Sequence, residues 1–158
     1  MKKFKFLLFI AVLVGFAALA YAGFDDGKAA YDRGDYVTAY NELKPLAVQG
    51  NAEAQRLLGW MLDFGEGVPQ DYAEAMKWYR KAADQGDANA LFHIGVMYAD
   101  GKGVPKDLVQ AHLWFNLAGA RGLAAARGFR DQVAEKMTQA QITEAQRLAR
   151  EWKPKGND

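Results

Sequence analysis

The sequence predicts an all-α protein, an α-solenoid of antiparallel helix pairs. The first observation is an internal repeat: at an offset of 36 residues, 51–86 match 87–122 without a gap, with 13 identical positions. Chance would give about two identities, and a period of this length is typical of helical solenoids. The second observation is that both copies carry apolar residues at helical spacing, with glycine and proline between the helices.

Each copy contains two predicted amphipathic helices. Apolar residues recur at i, i+4, i+7 and i+8 in the first helix and at i, i+3, i+4 and i+7 in the second, which places each set on one face. The first-helix sets are Ala54, Leu58, Met61 and Leu62, then Ala90, Ile94, Met97 and Tyr98. The second-helix sets are Ala75, Trp78, Tyr79 and Ala82, then Ala111, Trp114, Phe115 and Ala118.

The ends of these helices are marked in the sequence. Gly65 ends the first helix because glycine readily adopts the left-handed conformation, and Gly101 does the same in the next copy. Asp71 followed by Glu74 predicts an N-cap with a reciprocal partner at the third helical position. Asp107 and Gln110 repeat that pair in the next copy, with Gln110 in the place of Glu74.

Weaker segments flank the two good copies. Residues 25–50 form a shortened copy, in which the connection between the helices is reduced to Gly34. Residues 123–152 predict a C-terminal capping helix pair, whose last helix begins at a capping box starting with Thr138. Residues 153–158 are a polar tail. Terminal repeats of a solenoid are commonly atypical in this way.

Residues 1–22 predict a signal peptide. A lysine-rich start precedes an apolar run from Phe6 to Leu19, which is shorter than the roughly 20 residues of a membrane span. Ala20-Tyr21-Ala22 supplies the small residues of a cleavage site, so we expect a mature chain of residues 23–158 in the periplasm or outside the cell. An uncleaved signal anchor is the alternative.

Charge and composition exclude several function classes. Without residues 1–22 the chain has 17 basic and 19 acidic residues, a formal charge of −2 that gives no field for nucleic acid or anionic lipid. We therefore expect no nucleic-acid partner and no stable membrane insertion after cleavage. The sequence contains neither cysteine nor serine, which excludes disulfides, thiolate chemistry and serine-based acyl transfer.

Three possible chemical sites are weak, and none predicts a cofactor. Gly65-x-Gly67 lacks the lysine of a phosphate loop and follows a helix, so a structural turn is favoured. His93 and His112 have no identifiable third partner for a metal. The remaining route to an enzyme is a carboxylate pair of the kind that glycoside hydrolysis uses, and the candidates near the loop ends are Asp63, Glu66 and Asp100.

The repeated string resembles the Sel-one-like repeat (SLR) family, a longer-loop relative of the tetratricopeptide repeat. It runs Ala54-x3-Leu58-Gly59-x2-Leu62-x2-Gly65-x-Gly67-Val68-x2-Asp71-x3-Ala75-x2-Trp78-x3-Ala82-Ala83-x2-Gly86, and the next 36 residues match it again. The resemblance implies a tetratricopeptide-like superhelix that holds a protein or peptide on its concave surface. Some secreted relatives have a cysteine pair in each repeat and act on β-lactams, but without cysteine or serine nothing carries that activity to this chain.

The predicted function is accordingly an exported, non-catalytic adaptor for a protein or peptide partner. The alternative is an envelope-acting hydrolase that uses carboxylates. Tetratricopeptide relatives present the second, fifth, ninth and twelfth residues of the first helix to the groove. By that count the expected partner-binding residues are Glu53, Arg56, Trp60 and Asp63, followed by Asn89, Phe92, Val96 and Ala99. Trp60 and Phe92 are large enough to be anchors, although packing against a neighbouring helix is an equal alternative.

The pattern of the second helix in the copy 87–122 predicts how the C-terminal segment packs. Leu113 and Leu117 stand where the preceding copy has Lys77 and Lys81, so this helix is apolar on two faces. The last helix carries an apolar side that would cover the extra leucines and leave a monomer. Exposure of the same leucines as a dimer or partner patch is the alternative.

Overall fold

The computed structural model describes residues 23–155, which form eight α-helices and no strand. The helices are α1 (23–32), α2 (Tyr36–Val48), α3 (Ala52–Phe64), α4 (Tyr72–Asp84), α5 (Ala88–Asp100), α6 (Leu108–Ala120), α7 (Ala124–Ala134) and α8 (Gln139–Glu151). This confirms the predicted all-α class. The predicted signal peptide lies outside the described residues, and none of the described helices is long and apolar enough to span a membrane.

Consecutive helices pack into a solenoid. Each repeat is a hairpin in which α3 packs on α4 and α5 packs on α6, and successive repeats meet through α2 with α3, α4 with α5, and α6 with α7. The shortened first copy is also a hairpin, since a Cβ atom added to Gly27 of α1 would lie 2.8 Å from Leu43 of α2. The odd-numbered helices therefore occupy one position in each repeat, and the even-numbered helices occupy the other.

The helical stripes identified in the sequence form the core. The second-helix stripes of both good copies are buried, and so is the first-helix stripe apart from Tyr98. Tyr98 is half-buried, and its hydroxyl accepts a hydrogen bond from the Arg80 guanidinium at 2.7 Å. Tyr79 and Phe115, one in each second helix, are the largest fully buried side chains.

The predicted N-caps form, but two of the predicted capping boxes form only in part. Asp71 accepts from the backbone N–H of Glu74 at 2.9 Å, and Asp107 accepts from that of Gln110 at 3.0 Å. The side chains at the third helical position do not bond back to the N-cap N–H groups. Glu74 pairs with Lys77 instead, and the Gln110 side chain accepts from the Trp114 indole. The box at Thr138 is complete because Gln141 bonds back to the Thr138 N–H.

Gly59 and Gly95 allow the two helices of a hairpin to approach closely. A Cβ atom at either position would lie 2.7 Å from an aromatic ring on the facing helix, that of Tyr79 or of Phe115. The sequence predicts that these glycines oppose the small residues Ala75 and Ala111. The nearest atoms are instead those of Tyr79 and Phe115, one helical turn further along. A large aromatic ring on the facing helix needs the space that glycine leaves by having no Cβ atom, whereas an alanine on the facing helix would not need it.

The C-terminal helix covers the apolar outer face of α6, as predicted. α8 packs on α6, and Leu113 and Leu117 are 5% and 6% exposed. At the end of α8, the Trp152 ring lies 5.9 Å from the Trp114 ring in an edge-to-face arrangement. The Arg121 guanidinium also lies 4.8 Å from the centre of the Trp152 ring.

Candidate functional site

The candidate site lies on the surface formed by the odd-numbered helices, which we call the odd-helix face. A cavity of about 320 Å³, the first pocket, is built from α1, α3 and α5. It is lined by Tyr31, Arg56, Leu57, Trp60, Asn89 and His93. Three of the predicted partner-binding residues, Arg56, Trp60 and Asn89, therefore meet in one cavity that spans three successive repeats.

Ion pairs fix Arg56 in this pocket. Its guanidinium lies 3.2 Å from the carboxylate of Glu53, one turn away, and 3.3 Å from that of Asp87, which caps α5. The second pair joins two repeats and is only about one fifth exposed, so water screens it less than it screens an open surface pair. Glu53 is exposed, as a partner-binding residue would be, but it does not line the first pocket.

Trp60 combines an exposed edge with structural contacts. Its indole N–H donates to the Glu66 carboxylate at 3.1 Å, and its ring centre lies 4.2 Å from that of Phe64 and 5.1 Å from that of His93. The half-buried ring packs between helices and also lines the first pocket, so the anchor role stays a prediction beside the observed packing. Replacing Trp60 would disturb the packing as well as the pocket.

Asp63 faces inward, unlike the other residues predicted on this face. Its side chain is buried at 5% exposure, and one carboxylate oxygen accepts from the Tyr79 hydroxyl at 3.4 Å while the other has no partner among the described residues. Burial raises the pKa of Asp63, although the nearby Lys102 ammonium opposes that rise. A partner on the surface would not reach this carboxylate.

Phe92 and Val96 lie further along the odd-helix face. The half-buried Phe92 ring contacts the rings of Phe115 and Phe129, with centre distances of 5.4 and 4.9 Å. Val96 lines a cavity of about 300 Å³, the second pocket, between the third repeat and the capping helices. Its walls are Val96, Ala99, Asp100, Lys106, Leu108, Phe115, Phe129, Gln132, Val133 and Lys136.

The three carboxylates considered for hydrolysis have separate structural contacts. Asp63 is buried against Tyr79, Glu66 accepts from Trp60, and Asp100 lies 3.4 Å from the Lys102 ammonium. A glycosidase pair would need both carboxylates open to one substrate. The arrangement therefore favours structural roles for these acids. Within 23–155, no group of three or more His, Asp or Glu side chains is placed to hold a metal ion.

Three residues of the first pocket are not among the predicted ones: Tyr31, the buried Leu57, and His93. Gly27 faces Leu43 as Gly59 faces Tyr79, so Gly27 takes the eighth position of the repeat. Tyr31 then takes the twelfth position, which the same rule assigns to the groove. Burial first, and Glu66 second, raise the pKa of Tyr31 to about 12. His93 was weighed only as a metal ligand. Nothing in its own spacing marks it as part of a pocket, because its position depends on how α5 lies against α3.

His93 is held neutral by its surroundings. Its ring stacks on the Tyr79 ring at a centre distance of 5.0 Å and an angle of 15°. Burial, helped by the Arg56 charge, lowers the pKa of His93 to about 4. The unfolded chain has the ordinary histidine pKa near 6.5, so between these values the unfolded state binds a proton that the folded state does not.

We expect this difference to make the fold sensitive to acid. Neutral His93 makes its full contribution to the free energy of unfolding above pH 6.5 and loses it as the pH falls towards 4. The loss amounts to at most about 3 kcal/mol. His93→Phe keeps a ring against Tyr79 and removes the titration. Thermal melting from pH 7.5 to 4 should therefore show a smaller acid loss in His93→Phe than in the wild type. Parallel curves would contradict a buried neutral His93.

Comparison with known proteins identifies the repeat. The family model described as Sel1 repeat matches residues 52–87 and 88–123. Among solved structures, the chain is similar to c5321, a protective antigen of uropathogenic Escherichia coli strains with an SLR fold. The TM-score is 0.80 at 31% identity, over 84% of this chain and 29% of that one. It is also similar to a Sel1 repeat protein from Oxalobacter formigenes, with a TM-score of 0.68 at 30% identity, over 81% of this chain and 55% of that one.

The chain spans less than two thirds of the length of both proteins. No curated protein matches its sequence.

Proposed function

The chain is a Sel1 repeat protein with an SLR-type solenoid, and we propose that it is a non-catalytic adaptor that binds a protein or peptide on the odd-helix face. Sel1 repeat proteins are typically protein-interaction adaptors, which fits this role. The observation that carries the proposal is the first pocket, where Arg56, Trp60 and Asn89 from two repeats meet beside Tyr31 from a third.

The lining of the first pocket suits a side chain of a protein partner. Trp60 and Tyr31 supply flat apolar surface, and Arg56 and Asn89 supply hydrogen-bond donors at its edge. Aromatic and arginine side chains contribute most of the energy at protein interfaces. Because Glu53 and Asp87 hold Arg56 in place, little conformational entropy remains for it to lose when a partner binds.

The proposal includes export and a monomeric state. The sequence supports cleavage after Ala22, and the small formal charge of the remaining chain argues against a nucleic-acid partner. Coverage of Leu113 and Leu117 by α8 removes the apolar patch on α6 that a dimer could have used. The adaptor would thus act as a single chain in the periplasm or outside the cell.

Asn89→Lys tests the site with little risk to the fold. Asn89 is exposed at the second position of α5, and a lysine there would place a cation beside Arg56 and obstruct the pocket. We expect roughly tenfold weaker capture of the partner, equivalent to a loss of about 1.4 kcal/mol. The measurement is affinity capture from the envelope fraction of the producing cell, with residues 23–158 as bait and recovery quantified by mass spectrometry.

Ala73→Lys is the matched control. Ala73 is also exposed and occupies the second position of α4, on the even-numbered helices, so any cost of a lysine near a helix N-terminus is the same. A partner retained by Ala73→Lys and lost by Asn89→Lys supports the proposal. Equal recovery with both variants would place the interaction elsewhere on the molecule.

A further inference from the structure

The internal repeat shows that the second pocket is a vacancy left by smaller side chains. Position for position, Val96 corresponds to Trp60 and Asp100 to Phe64, since each pair is 36 residues apart. In the preceding repeat those two aromatic rings pack against each other at 4.2 Å. In the third repeat a valine and an aspartate stand in their places, and a cavity of about 300 Å³ opens there.

The walls of the second pocket are aromatic, as are those of the equivalent place one repeat earlier, which Trp60 and Phe64 fill. His93 of α5 stacks on Tyr79 of α4, and the equivalent pair one repeat later, Phe129 of α7 and Phe115 of α6, has a centre distance of 5.7 Å. The filled site has an indole 5.1 Å from His93, whereas the Phe129 ring is 43% exposed. The second pocket therefore retains an aromatic wall, on which Phe92 packs at 4.9 Å from Phe129, but it lacks a ring at the position that Trp60 occupies in the preceding repeat.

The rim of the second pocket is cationic. Lys106 and Lys136 line it, are exposed, and form no ion pair within residues 23–155. The single lining acid, Asp100, is paired with Lys102 at 3.4 Å. Glu66, the acceptor of the Trp60 N–H, is replaced at the equivalent position by Lys102, so this site offers no matching carboxylate to an indole donor. An occupant without that donor and with negative charge beside its ring fits these walls.

We propose that the second pocket is the receptor for a phenylalanine side chain flanked by acidic residues in the protein or peptide partner. The proposal rests on the proposed adaptor function and names the chemistry of its ligand. The phenyl ring fills the place that Trp60 fills in the preceding repeat, against Phe129 and Phe115. The flanking carboxylates meet Lys106 and Lys136 at the rim, an attraction that salt weakens.

The probe is the peptide acetyl-Asp-Glu-Phe-Asp-Glu-amide, titrated into residues 23–158 and followed by NMR chemical shifts. Replacing its phenylalanine by alanine should weaken binding at least about tenfold, since one buried side chain supplies most of the contact. A peptide with lysines in place of the four acids should not bind. Equal binding of the alanine peptide, or shifts confined to the first pocket, would overturn the proposal.

Two variants of the protein complete the test. Val96→Trp installs the residue found at position 60 and should raise the melting temperature and abolish peptide binding. The double variant Lys106→Glu with Lys136→Glu changes only exposed side chains and should lose binding while the melting temperature stays the same. If it binds the acidic peptide as the wild type does, the rim has no role and the proposal fails.

These outcomes are distinct from failure of the adaptor function itself. A partner captured from the envelope that is lost with Asn89→Lys but retained with Val96→Trp would keep the adaptor and overturn the second pocket. Concentration-dependent dimerisation that Val96→Trp abolishes, measured by light scattering, would show that a second copy of the chain occupies the pocket. That result would also overturn the phenylalanine ligand.

Discussion

Deletion of residues 138–158 should cost the protein a large part of its stability and lead to aggregation. The deletion removes α8 and uncovers Leu113 and Leu117 on α6, which are now 5% and 6% exposed. Returning two leucines to water costs about 3–6 kcal/mol, against a total of about 5–15 kcal/mol for a typical domain. The loss of Trp152 from its place against Trp114 adds to this cost.

The matched control is deletion of residues 153–158 alone, which removes only tail and keeps Trp152. Circular dichroism melting and light scattering should show a monomer with unchanged melting for this shorter deletion. The longer deletion should melt at least 10 °C lower, as expected for a loss of about 3 kcal/mol, and should self-associate. If the longer deletion stays monomeric with the same melting temperature, α8 contributes little and the buried leucines are held by other contacts.

The local features of the fold could be predicted from sequence because they depend on neighbours in the chain. Gly65 and Gly101 end their helices with φ values of 71° and 74°, and Asp71 and Asp107 cap the next ones. Each depends on a few consecutive residues. The 36-residue repeat doubled this information, since the same signals occur twice with the same spacing.

Contacts between helices could be predicted where an apolar face had a matching apolar helix within the same chain. The second apolar face of α6 required a cover, and α8 was available to provide it. The partner of Gly95 was missed because it depends on the exact rotation of α6, which brings Phe115 instead of Ala111 to the glycine. Glu74 could bond to its own cap or to Lys77, and sequence alone does not rank these two competing partners.

The candidate site follows the same division. Counting positions along α3 and α5 brought Arg56, Trp60 and Asn89 to one pocket, because helical spacing fixes which residues share a face. The inward direction of Asp63 was missed, since it depends on the reach of Tyr79 from α4. Both pockets form between helices of successive repeats, so their shapes could be seen only in the assembled structure.

Gly67→Ala should be among the most destabilising single substitutions in the chain. Gly67 has a φ of 72°, and a Cβ atom there would lie 2.5 Å from the backbone carbon of Tyr36, at the start of α2 in the preceding repeat. Helix backbone does not rotate aside as a side chain does, so the loop after α3 and α2 would have to separate. We expect a loss of roughly 3 kcal/mol or more, seen as a melting temperature lower by about 10 °C.

Gly65→Ala separates the close approach from the cost of the backbone conformation. Gly65 has nearly the same φ, 71°, but the nearest atom to its added Cβ is Gln70 Cβ at 3.4 Å. The Gly65→Ala variant should lose only the roughly 1–2 kcal/mol that an alanine in the left-handed conformation costs.

Gly103→Ala should reproduce the larger loss of Gly67→Ala, since its Cβ would lie 2.8 Å from the backbone of Tyr72 at the start of α4, in the repeat before. Equal losses for Gly65→Ala and Gly67→Ala would show that conformation alone explains these glycines. A larger loss at both Gly67 and Gly103 would show that each loop is a contact between repeats, so that glycine there sets the distance between neighbouring helix pairs.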